Sequence, residues 1–308
     1  MKLKSTLVVI SFIIILVGIA LCKEERAWGN TGMFLEIIKP VKGSASANGG
    51  CGMLWGIDSV GINPAGAVGV FGFEAQVEYI NYLNDFKVQR LVFGTRTRLG
   101  VFIIDYTSFG SDEFEIITEE SPGGTGEFFS EKDSVASLIY SRHFFFKNFY
   151  WGVGLKKMTM KLYEYSSSSI LYSTGFLFYR DGLGIGASMI NAGGTVQFIE
   201  EKEKIQETYR FGLSLRIYQG KGGDLITIFD VIKGKEDDPK FVLGLEFGFI
   251  DMFSCNIGYR IDDGENGISA GLGFNLKLKS GMVMMLSTSY SDIGVLGEKN
   301  GVSLGIKW

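Results

Sequence analysis

The sequence contains few of the residues that build catalytic, metal or disulfide sites. Among 308 residues it has three cysteines, four prolines and a single histidine, His143. So few cysteine and histidine side chains cannot form a metal cluster, a Cys/His dyad or a disulfide scaffold. One Cys51–Cys255 bridge is possible, but Cys255 lies on the apolar face of a strand-like run, which favours a buried free thiol. We therefore expect no enzyme, cofactor or metal site.

Basic residues are not in excess either. Lysine and arginine number 30 against 34 aspartates and glutamates, which gives a formal net charge of −4. A nucleic-acid-binding protein would carry a basic surface. The glycines of 182–186 resemble part of a nucleotide loop, but neither a Lys-Ser/Thr pair nor a helix pattern follows them. No nucleic acid or nucleotide is expected as a partner, and the uncharged run 182–199 is predicted to be strand rather than spanning helix.

The first 22 residues have the pattern of a signal peptide. Lys2 and Lys4 form a short positive region before an apolar run over 7–21, and a polar cluster over 23–26 follows. The run has the length of a signal-peptide core and is short for a spanning helix. Small residues at Ala20 and Cys22 suit cleavage after Cys22. The alternatives are an uncleaved anchor helix and a lipid-modified Cys22, although the bulky Leu21 argues against lipidation.

Glycine is abundant, at 43 residues, and apolar residues alternate with small or polar ones. In 71–79 the odd positions are apolar or aromatic, and the even positions are glycine, glutamate or glutamine. The runs 209–217, 241–249, 268–278 and 301–308 repeat this pattern. A period of two over about nine or more residues places one face in an apolar medium and the other in a polar one.

These runs, together with weaker ones, predict about fourteen strands. The predicted segments are 71–79, 86–95, 99–109, 134–144, 149–163, 168–179, 183–191, 209–217, 225–232, 241–249, 253–260, 268–278, 282–290 and 301–308. Most have roughly 9 to 12 residues, the length that a tilted strand needs to cross a bilayer, whereas soluble strands have about 5 or 6. Single-chain outer-membrane barrels have an even number of strands. We predict an all-β fold, a transmembrane antiparallel up-and-down β-barrel over 71–308.

Connection lengths predict how the barrel sits in the membrane. Connections after even-numbered strands are short, whereas those after odd-numbered strands include the long loops 110–133, 192–206 and 291–299. Outer-membrane barrels have short periplasmic turns and long extracellular loops. Aromatic residues also fall at both strand ends, as two girdles at headgroup level require. We predict the outer membrane of a Gram-negative bacterium, contact with its lipid, and two periplasmic termini.

The segment 23–70 does not alternate and is rich in glycine and other small residues. We predict that it forms an N-terminal plug or hatch in the periplasmic mouth of the barrel. A turn signal within it comprises Asp58, Asn63, Pro64, Ala65 and Gly66. We expect a fixed turn where the chain enters the barrel, with Asn63 capping backbone groups and Pro64 restricting the chain.

Several short motifs resemble those of a known family. Arg26-Ala27-Trp28-Gly29 resembles the opening of PorV/PorQ-type outer-membrane proteins. The run 58–66 resembles their segment ending in N-P-A-G, which is similar to that of the FadL long-chain fatty-acid transporters. The run 268–274 resembles the family's penultimate-hairpin signature. The resemblance implies a FadL-like fourteen-stranded barrel and, for the PorV branch, an accessory of type IX secretion that shuttles cargo to the cell-surface attachment machinery.

Charged residues on the polar strand faces are expected to point into the lumen. They are Glu74, Glu78, Lys156, Arg210, Arg216, Glu246, Arg260 and Lys277. Barrel lumens are usually polar, so paired or hydrated charges are the simpler interpretation, and a path for a charged ligand is the other. The first long loop is acidic, which is typical of a solvated surface but could also dock a partner.

Three functions fit these patterns. The preferred one is a PorV/PorQ-like, non-enzymatic accessory or shuttle in protein secretion, which binds secretion-system proteins or exported cargo through the extracellular loops. The alternative is a FadL-like transporter of hydrophobic small molecules, with 23–70 as its hatch; the third is a plain structural or pore-forming barrel. A hydrophobic path needs an apolar pocket between hatch and wall. The expected inner faces carry glycine and charge, which favours the secretion accessory.

Overall fold

The structure, a computed structural model, describes residues 32–83, 85–163, 165–198, 201–235, 237–250, 252–262, 267–294 and 297–308. The predicted signal peptide, Cys22 and the motif at 26–29 lie outside these residues. Most of the described chain forms one closed antiparallel barrel of fourteen strands. The prediction of an all-β barrel with about fourteen strands is therefore confirmed.

Each barrel strand lies within a few residues of a predicted one. The barrel strands are β1 (Phe73–Tyr82), β2 (Phe86–Arg96), β3 (Val101–Ser111), β6 (Lys132–His143), β7 (Phe149–Leu162), β8 (Tyr165–Arg180), β9 (Leu183–Ala192), β12 (Thr208–Gly220), β13 (Gly223–Gly234), β14 (Lys240–Phe249), β15 (Phe253–Ile261), β16 (Gly267–Lys277), β17 (Val283–Asp292) and β18 (Glu298–Lys307). Two hairpins in the loops are formed by β4 (Phe114–Glu115) with β5 (Phe128–Phe129), and by β10 (Thr195–Phe198) with β11 (Glu201–Lys204).

The barrel closes between its first and last strands. The register of β1 and β18 pairs Glu74 with Lys307 and Tyr82 with Lys299. The pairing of β8 with β9 and that of β12 with β13 each contain one register shift. Because every strand has a partner on each side, the sheet itself satisfies the backbone polar groups of the wall. A β-structure that crosses a bilayer requires this closure.

Side chains alternate between the lumen and the outer surface, as the period of two predicts. On β12 the side chain of Leu213 is 38% exposed on the outside, whereas Ser214 is 2% exposed and faces the lumen. On β14 the outward residues Leu243, Leu245 and Phe247 are exposed in the same way. Exposed apolar side chains therefore form a belt around the barrel, and such a belt suits contact with lipid tails.

The two ends of the barrel differ in the length of their connections. Six turns of two to five residues lie at one end, here called the turn end, together with Trp308. The opposite end, the loop end, carries the long connections 112–131 and 193–207. Assignment of the turn end to the periplasm stays a prediction. Within the described chain, no helix is long and apolar enough to cross a membrane.

Residues 32–72, here called the lumen segment, run inside the barrel. Its helices are α1 (Phe34–Ile37), α2 (Val41–Ala45) and two 3₁₀ helices, Gly56–Ser59 and Pro64–Gly69. The first residues pack against Val196 and Ile205 at the loop end, and β1 begins beside Trp308 at the turn end. The segment thus runs from one end of the lumen to the other, where the sequence predicted a plug in the periplasmic mouth only.

The face assignment predicts unequal costs for two neighbouring substitutions on β17. Leu286→Arg turns a charge outward, and it should lower the free energy of unfolding by roughly 2–4 kcal/mol, as at a bilayer midplane. Ser287→Arg faces a polar cavity that Glu74 and Glu246 also line, and it should cost much less. Urea unfolding in lipid vesicles, followed by tryptophan fluorescence, measures both variants. Equal costs would contradict the assigned faces.

Candidate functional site in the barrel lumen

The wall lets the backbone of the lumen segment lie directly against it. On β9, a Cβ atom at Gly184 would overlap the carbonyl oxygen of Gly52, and one at Gly186 would overlap that of Cys51. Glycine permits this approach because it has no side chain. These wall glycines therefore determine which part of the segment touches β9.

Polar side chains of the wall then bind the backbone of the segment. Ser188 Oγ donates to the carbonyl oxygen of Ile62 at 2.6 Å, and Ser214 Oγ donates to a segment carbonyl at 3.0 Å. On β13, a carboxylate oxygen of Asp230 accepts from the backbone N–H of Cys51 at 2.8 Å. Buried backbone groups need such partners, so the segment is bound by the wall and does not merely fill a space.

The predicted turn residues lie against β8 in the turn-end half of the lumen. Asn63 Oδ1 accepts from the backbone N–H of Ala65 at 3.1 Å, so Asn63 caps the 3₁₀ helix that begins at Pro64. Its Nδ2 donates to the carbonyl oxygens of Cys51 at 2.9 Å and Phe176 at 3.0 Å. Asn63 thereby ties two parts of the segment to the wall.

The other two predicted turn residues have separate neighbours. A Cβ atom at Gly66 would overlap the carbonyl oxygen of Leu54 and the side chain of Ser59, so this position is packed on both sides. Asp58 lies apart, where Gln76 Nε2 donates to its Oδ1 at 3.4 Å. Burial raises the pKa of Asp58. A functional role for these residues, beyond holding the segment, stays a prediction.

Buried charges form a layer across the middle of the lumen. Glu78 and Arg90 lie opposite each other in the register of β1 and β2, and Arg90 Nη1 is 3.1 Å from a Glu78 oxygen. The same guanidinium also pairs with the carboxylate of Asp105 on β3. All three side chains are almost inaccessible to solvent. Arg90 is therefore the cation in direct contact with both acids, and its loss would be strongly unfavourable because it would leave buried charges without this partner.

A second charge cluster joins the lumen segment to the opposite wall. Arg210 Nη2 of β12 lies 3.1 Å from Glu36 Oε2, and Lys39 Nζ lies 3.2 Å from Glu36 Oε1. Burial would raise the pKa of Glu36, but Lys39 and Arg210 outweigh it and hold this pKa at about 2. Burial, opposed by Glu36, lowers the pKa of Lys39 to about 7. Glu36 is thus the charged contact that holds α1.

The structure places seven of the eight predicted lumen charges inside the barrel. Besides Glu78 and Arg210, these are Glu74, Lys156, Arg216, Glu246 and Arg260. Lys156 Nζ donates to Asn191 Oδ1 at 2.8 Å, and Glu246 pairs with Lys42 of the segment at 3.4 Å. Lys277 differs, because it lies at the exposed turn end of β16. Most of these charges therefore have an ion-pair partner in the barrel, and whether any of them also binds a ligand stays a prediction.

An apolar layer, which the sequence did not predict, surrounds α1 at the loop end of the lumen. Its wall residues are Ile80, Val88, Phe109, Val135, Met158 and Leu171, which come from strands β1, β2, β3, β6, β7 and β8. Phe34 and Leu35 of α1 pack against them. The expectation that the inner faces carry only glycine and charge is therefore wrong for this half of the wall.

Among the described residues, a cavity lies on each side of the charged layer. A cavity of about 190 Å³ at the loop end is lined by Met33, Ile37 and Arg210, among others. A cavity of about 390 Å³ at the turn end is lined by residues that include Trp55 and Glu246. The lumen segment contributes side chains to both. A solute that crosses the barrel must therefore pass this segment.

Reactive side chains do not gather at one place in the described part of the chain. His143 is exposed at the turn end, with its ring 4.5 Å from that of Tyr150. No group of three or more His, Cys, Asp or Glu among the described residues is arranged to hold a metal ion. Both cysteines are free: Cys51 is buried in the lumen, and Cys255 is half-buried on the outer face. The predicted buried thiol is therefore Cys51 and not Cys255.

Three solved structures share this barrel over most of the chain. A FadL homologue from Pseudomonas aeruginosa has a TM-score of 0.55 at 9% identity, covering 88% of this chain and 98% of its own. The fold is FadL-like. The Pseudomonas putida toluene transporter TodX gives 0.57 at 9% identity, covering 86% and 96%. The Ralstonia pickettii toluene transporter TbuX gives 0.57 at 10% identity, covering 87% and 96%.

The comparisons support the coarser part of the sequence resemblance. No protein-family model and no curated protein matches the chain. The FadL-like barrel is confirmed, whereas the specific likeness to PorV/PorQ proteins and to type IX secretion receives no support. Two of the three similar structures are named as toluene transporters, and none is named as an enzyme. A barrel of this kind also supports location in an outer membrane.

Proposed function

We propose that the protein is an outer-membrane channel for hydrophobic small molecules, closed by its lumen segment. The observation that carries this proposal is the apolar layer around α1. The lumens of water-filled barrels are polar, whereas sites for apolar ligands are lined mainly by apolar and aromatic side chains. The toluene transporters with the same fold support the same choice. A hydrophobic path needs an apolar pocket between the segment and the wall. The sequence did not indicate such a pocket, but the apolar layer around α1 provides apolar lining there.

Helix α1 occupies the place where a ligand would bind. The ring of Phe34 stacks on that of Phe109 at 5.8 Å, and Phe109 stacks on Phe86 at 5.4 Å. Passage of a ligand therefore requires α1 to leave the apolar layer. Besides these contacts, α1 is held by Glu36 and by Lys299, whose Nζ donates to the carbonyl oxygen of Ile37 at 2.6 Å.

The two halves of the lumen segment differ in their attachment. Residues 49–66 are hydrogen-bonded to several strands through their own backbone, whereas α1 depends mainly on side-chain packing and ion pairs, with one backbone hydrogen bond, from Lys299 to Ile37. Side-chain contacts of this kind can exchange for contacts with a ligand of similar polarity. We infer that α1 moves during passage while the turn-end half stays in place.

A protein-secretion accessory is the second proposal. The observation that favours it is the hairpin β4–β5 in the acidic loop 112–131, which exposes the rings of Phe114 and Phe128. Exposed aromatic side chains next to charges are typical of surfaces that bind other proteins. An exported partner would contact this hairpin and leave the lumen unchanged.

The two proposals predict opposite results for two variants. Asn63→Ala combined with Pro64→Gly loosens the turn-end half of the segment, so a channel should take up a hydrophobic dye severalfold faster. Shortening the loop 112–131 to a tight turn should leave this rate nearly unchanged. Uptake of N-phenylnaphthylamine by intact cells producing each variant at equal levels gives the rate, and cells without the protein give the background.

The same variants test the secretion accessory by pull-down. If the shortened loop loses a bound exported protein while dye uptake equals the background in every strain, the channel proposal is wrong. Faster uptake with the loosened segment, together with no loop-dependent partner, would support the channel. Unboiled gel migration shows that each barrel is folded, because a closed barrel migrates differently until it is heated.

A further inference from the structure

The two ends of the barrel carry opposite charge. Counted with one flanking strand residue on each side, the seven loops contain 21 acidic and five basic residues. The six turns, counted in the same way, have two acidic residues, Asp181 and Asp251, and seven basic ones. The basic residues are Arg96, Arg98, Lys147, Arg180, Lys221, Lys277 and Lys279. The turn end is therefore positive and the loop end strongly negative.

Aromatic and apolar side chains are concentrated on one arc of the turn end. The arc comprises three turns that are neighbours around the barrel, 97–100, 144–148 and 181–182, together with the strand ends next to them. Phe145 is 95% exposed, Phe146 is 70% exposed, and Leu99 on the adjacent turn is 71% exposed. Three such side chains at the tips of short turns are not part of any core.

Ring contacts connect this arc to the lipid-facing surface above it. Phe144 lies 5.7 Å from Phe149, which lies 6.0 Å from the outward-facing Phe176 on β8. Tyr140 lies 5.8 Å from Trp151, and its hydroxyl donates to the carbonyl oxygen of Leu99 at 2.7 Å. The exposed rings therefore continue the apolar belt of the barrel to its rim.

The basic residues of the arc lack acidic partners, with one exception. Arg98, Arg142 and Lys147 are exposed, and none forms an ion pair with a described residue. Arg180 pairs with Asp181 at 3.1 Å, but both side chains are largely exposed, so this pair contributes little. Among the residues that the structure describes, these three cations thus have no acidic partner, and they lie near exposed aromatic rings.

We propose that this basic aromatic arc, formed by Arg98, Leu99, Arg142, Phe144–Lys147, Phe149, Phe176 and Arg180, binds the phosphate groups of anionic glycerophospholipids. Aromatic rings reside at the headgroup level of a bilayer, where the phosphates lie. Lys and Arg beside an anionic membrane surface attract it over about a Debye length. The arc has both features and is continuous with the lipid-facing belt. The proposal depends on the barrel alone and not on what the lumen transports.

The length of the connections, rather than charge, selects the leaflet. Short turns of outer-membrane barrels lie on the periplasmic side, so the arc is expected to face the periplasmic leaflet, which is built from glycerophospholipid. Lipopolysaccharide carries phosphate as well, but it belongs to the leaflet that the long loops would face. We therefore assign the arc to phosphatidylglycerol-type headgroups.

Trp151 lies in the ring network of the arc and reports which lipid is next to it. A variant with Trp28, Trp55 and Trp308 replaced by phenylalanine keeps Trp151 as its single tryptophan. The protein is reconstituted in phosphatidylcholine vesicles with increasing brominated phosphatidylglycerol, and quenching of Trp151 gives the relative binding constant of the two lipids. Quenching by brominated phosphatidylcholine, in vesicles without phosphatidylglycerol, calibrates how strongly Trp151 is quenched at its depth in the bilayer.

We expect phosphatidylglycerol to be preferred at least about fivefold, the factor that one Lys or Arg near an anionic surface provides. Arg98→Gln, Arg142→Gln and Lys147→Gln together should abolish the preference, whereas the calibration quenching stays the same. Lys221→Gln with Lys279→Gln, on other turns of the same rim, is the matched control and should retain the preference.

Three outcomes would overturn the proposal. The first is equal quenching of Trp151 by the two brominated lipids in the single-tryptophan protein that retains all the basic residues of the arc. The second is an equal loss of preference in the matched control, which would make the whole rim and not the arc responsible. The third is displacement of brominated phosphatidylglycerol by lipopolysaccharide at equal phosphate concentration.

Discussion

Gly186→Ala is expected to expel part of the lumen segment and to raise the ionic conductance of the barrel by on the order of tenfold, because the lumen of a barrel this wide holds water when it is not filled. The added methyl group would overlap the carbonyl group of Cys51. Gly186 is paired with Leu177 on β8 and with Gly212 on β12, so the closed wall cannot move away. The segment must move instead. Single-channel recording in planar bilayers measures the change.

A second inward glycine provides the matched control for this prediction. At Gly154 on β7, the nearest atom to an added Cβ is Ser173 Cβ at 3.5 Å, which is an ordinary contact. Gly154→Ala should therefore conduct like the unmodified protein. If both variants conduct alike, the contact between Gly186 and Cys51 does not close the lumen.

Arg90→Met is expected to lower the free energy of unfolding by about 3–5 kcal/mol, the usual cost of removing one partner from a buried ion pair. The substitution leaves Glu78 and Asp105 inside the lumen without their shared cation. Methionine has a similar length, so loss of packing contributes little. Guanidinium unfolding of the barrel in vesicles, followed by far-UV circular dichroism, measures the free energy.

Two further variants separate charge from packing. Combining Arg90→Met with Glu78→Gln and Asp105→Asn removes the orphaned charges and should restore most of the lost stability. Lys87→Met removes a cation from the same strand, but Lys87 and Asp112 form an exposed pair at the loop end. It should cost less than about 1 kcal/mol. A similar loss for Lys87→Met and Arg90→Met would show that burial of the charge is not the cause.

The barrel could be predicted from the sequence because its physical cause is local. Lipid on one side and a polar lumen on the other impose a period of two on every strand. Neighbouring residues such as Leu213 and Ser214 show it, because the apolar one faces outward and the polar one faces the lumen. The first part of the predicted run 182–199 forms β9 of the wall for the same reason, whereas β10 lies in a loop hairpin. Connection lengths then distinguished the two ends.

The lumen could be predicted only in part because its contacts join distant residues. Nothing local to Cys51 indicates that Asp230 binds its backbone N–H or that Gly186 lies against its carbonyl group. The apolar layer could have been predicted from one feature of the sequence. Ile80, Val88 and Val135 are apolar at inward positions near the loop ends of their strands, where the rest of the inner face carries polar or small residues.

The position of the lumen segment also has a consequence for the order of assembly. The segment precedes β1 in the chain, yet Ser44 contacts Ser291 and Lys299 on the last two strands. We therefore expect the wall to close around a segment that is already in place before β18 pairs with β1. A barrel that lacks the segment is expected to pair β1 with β18 more slowly.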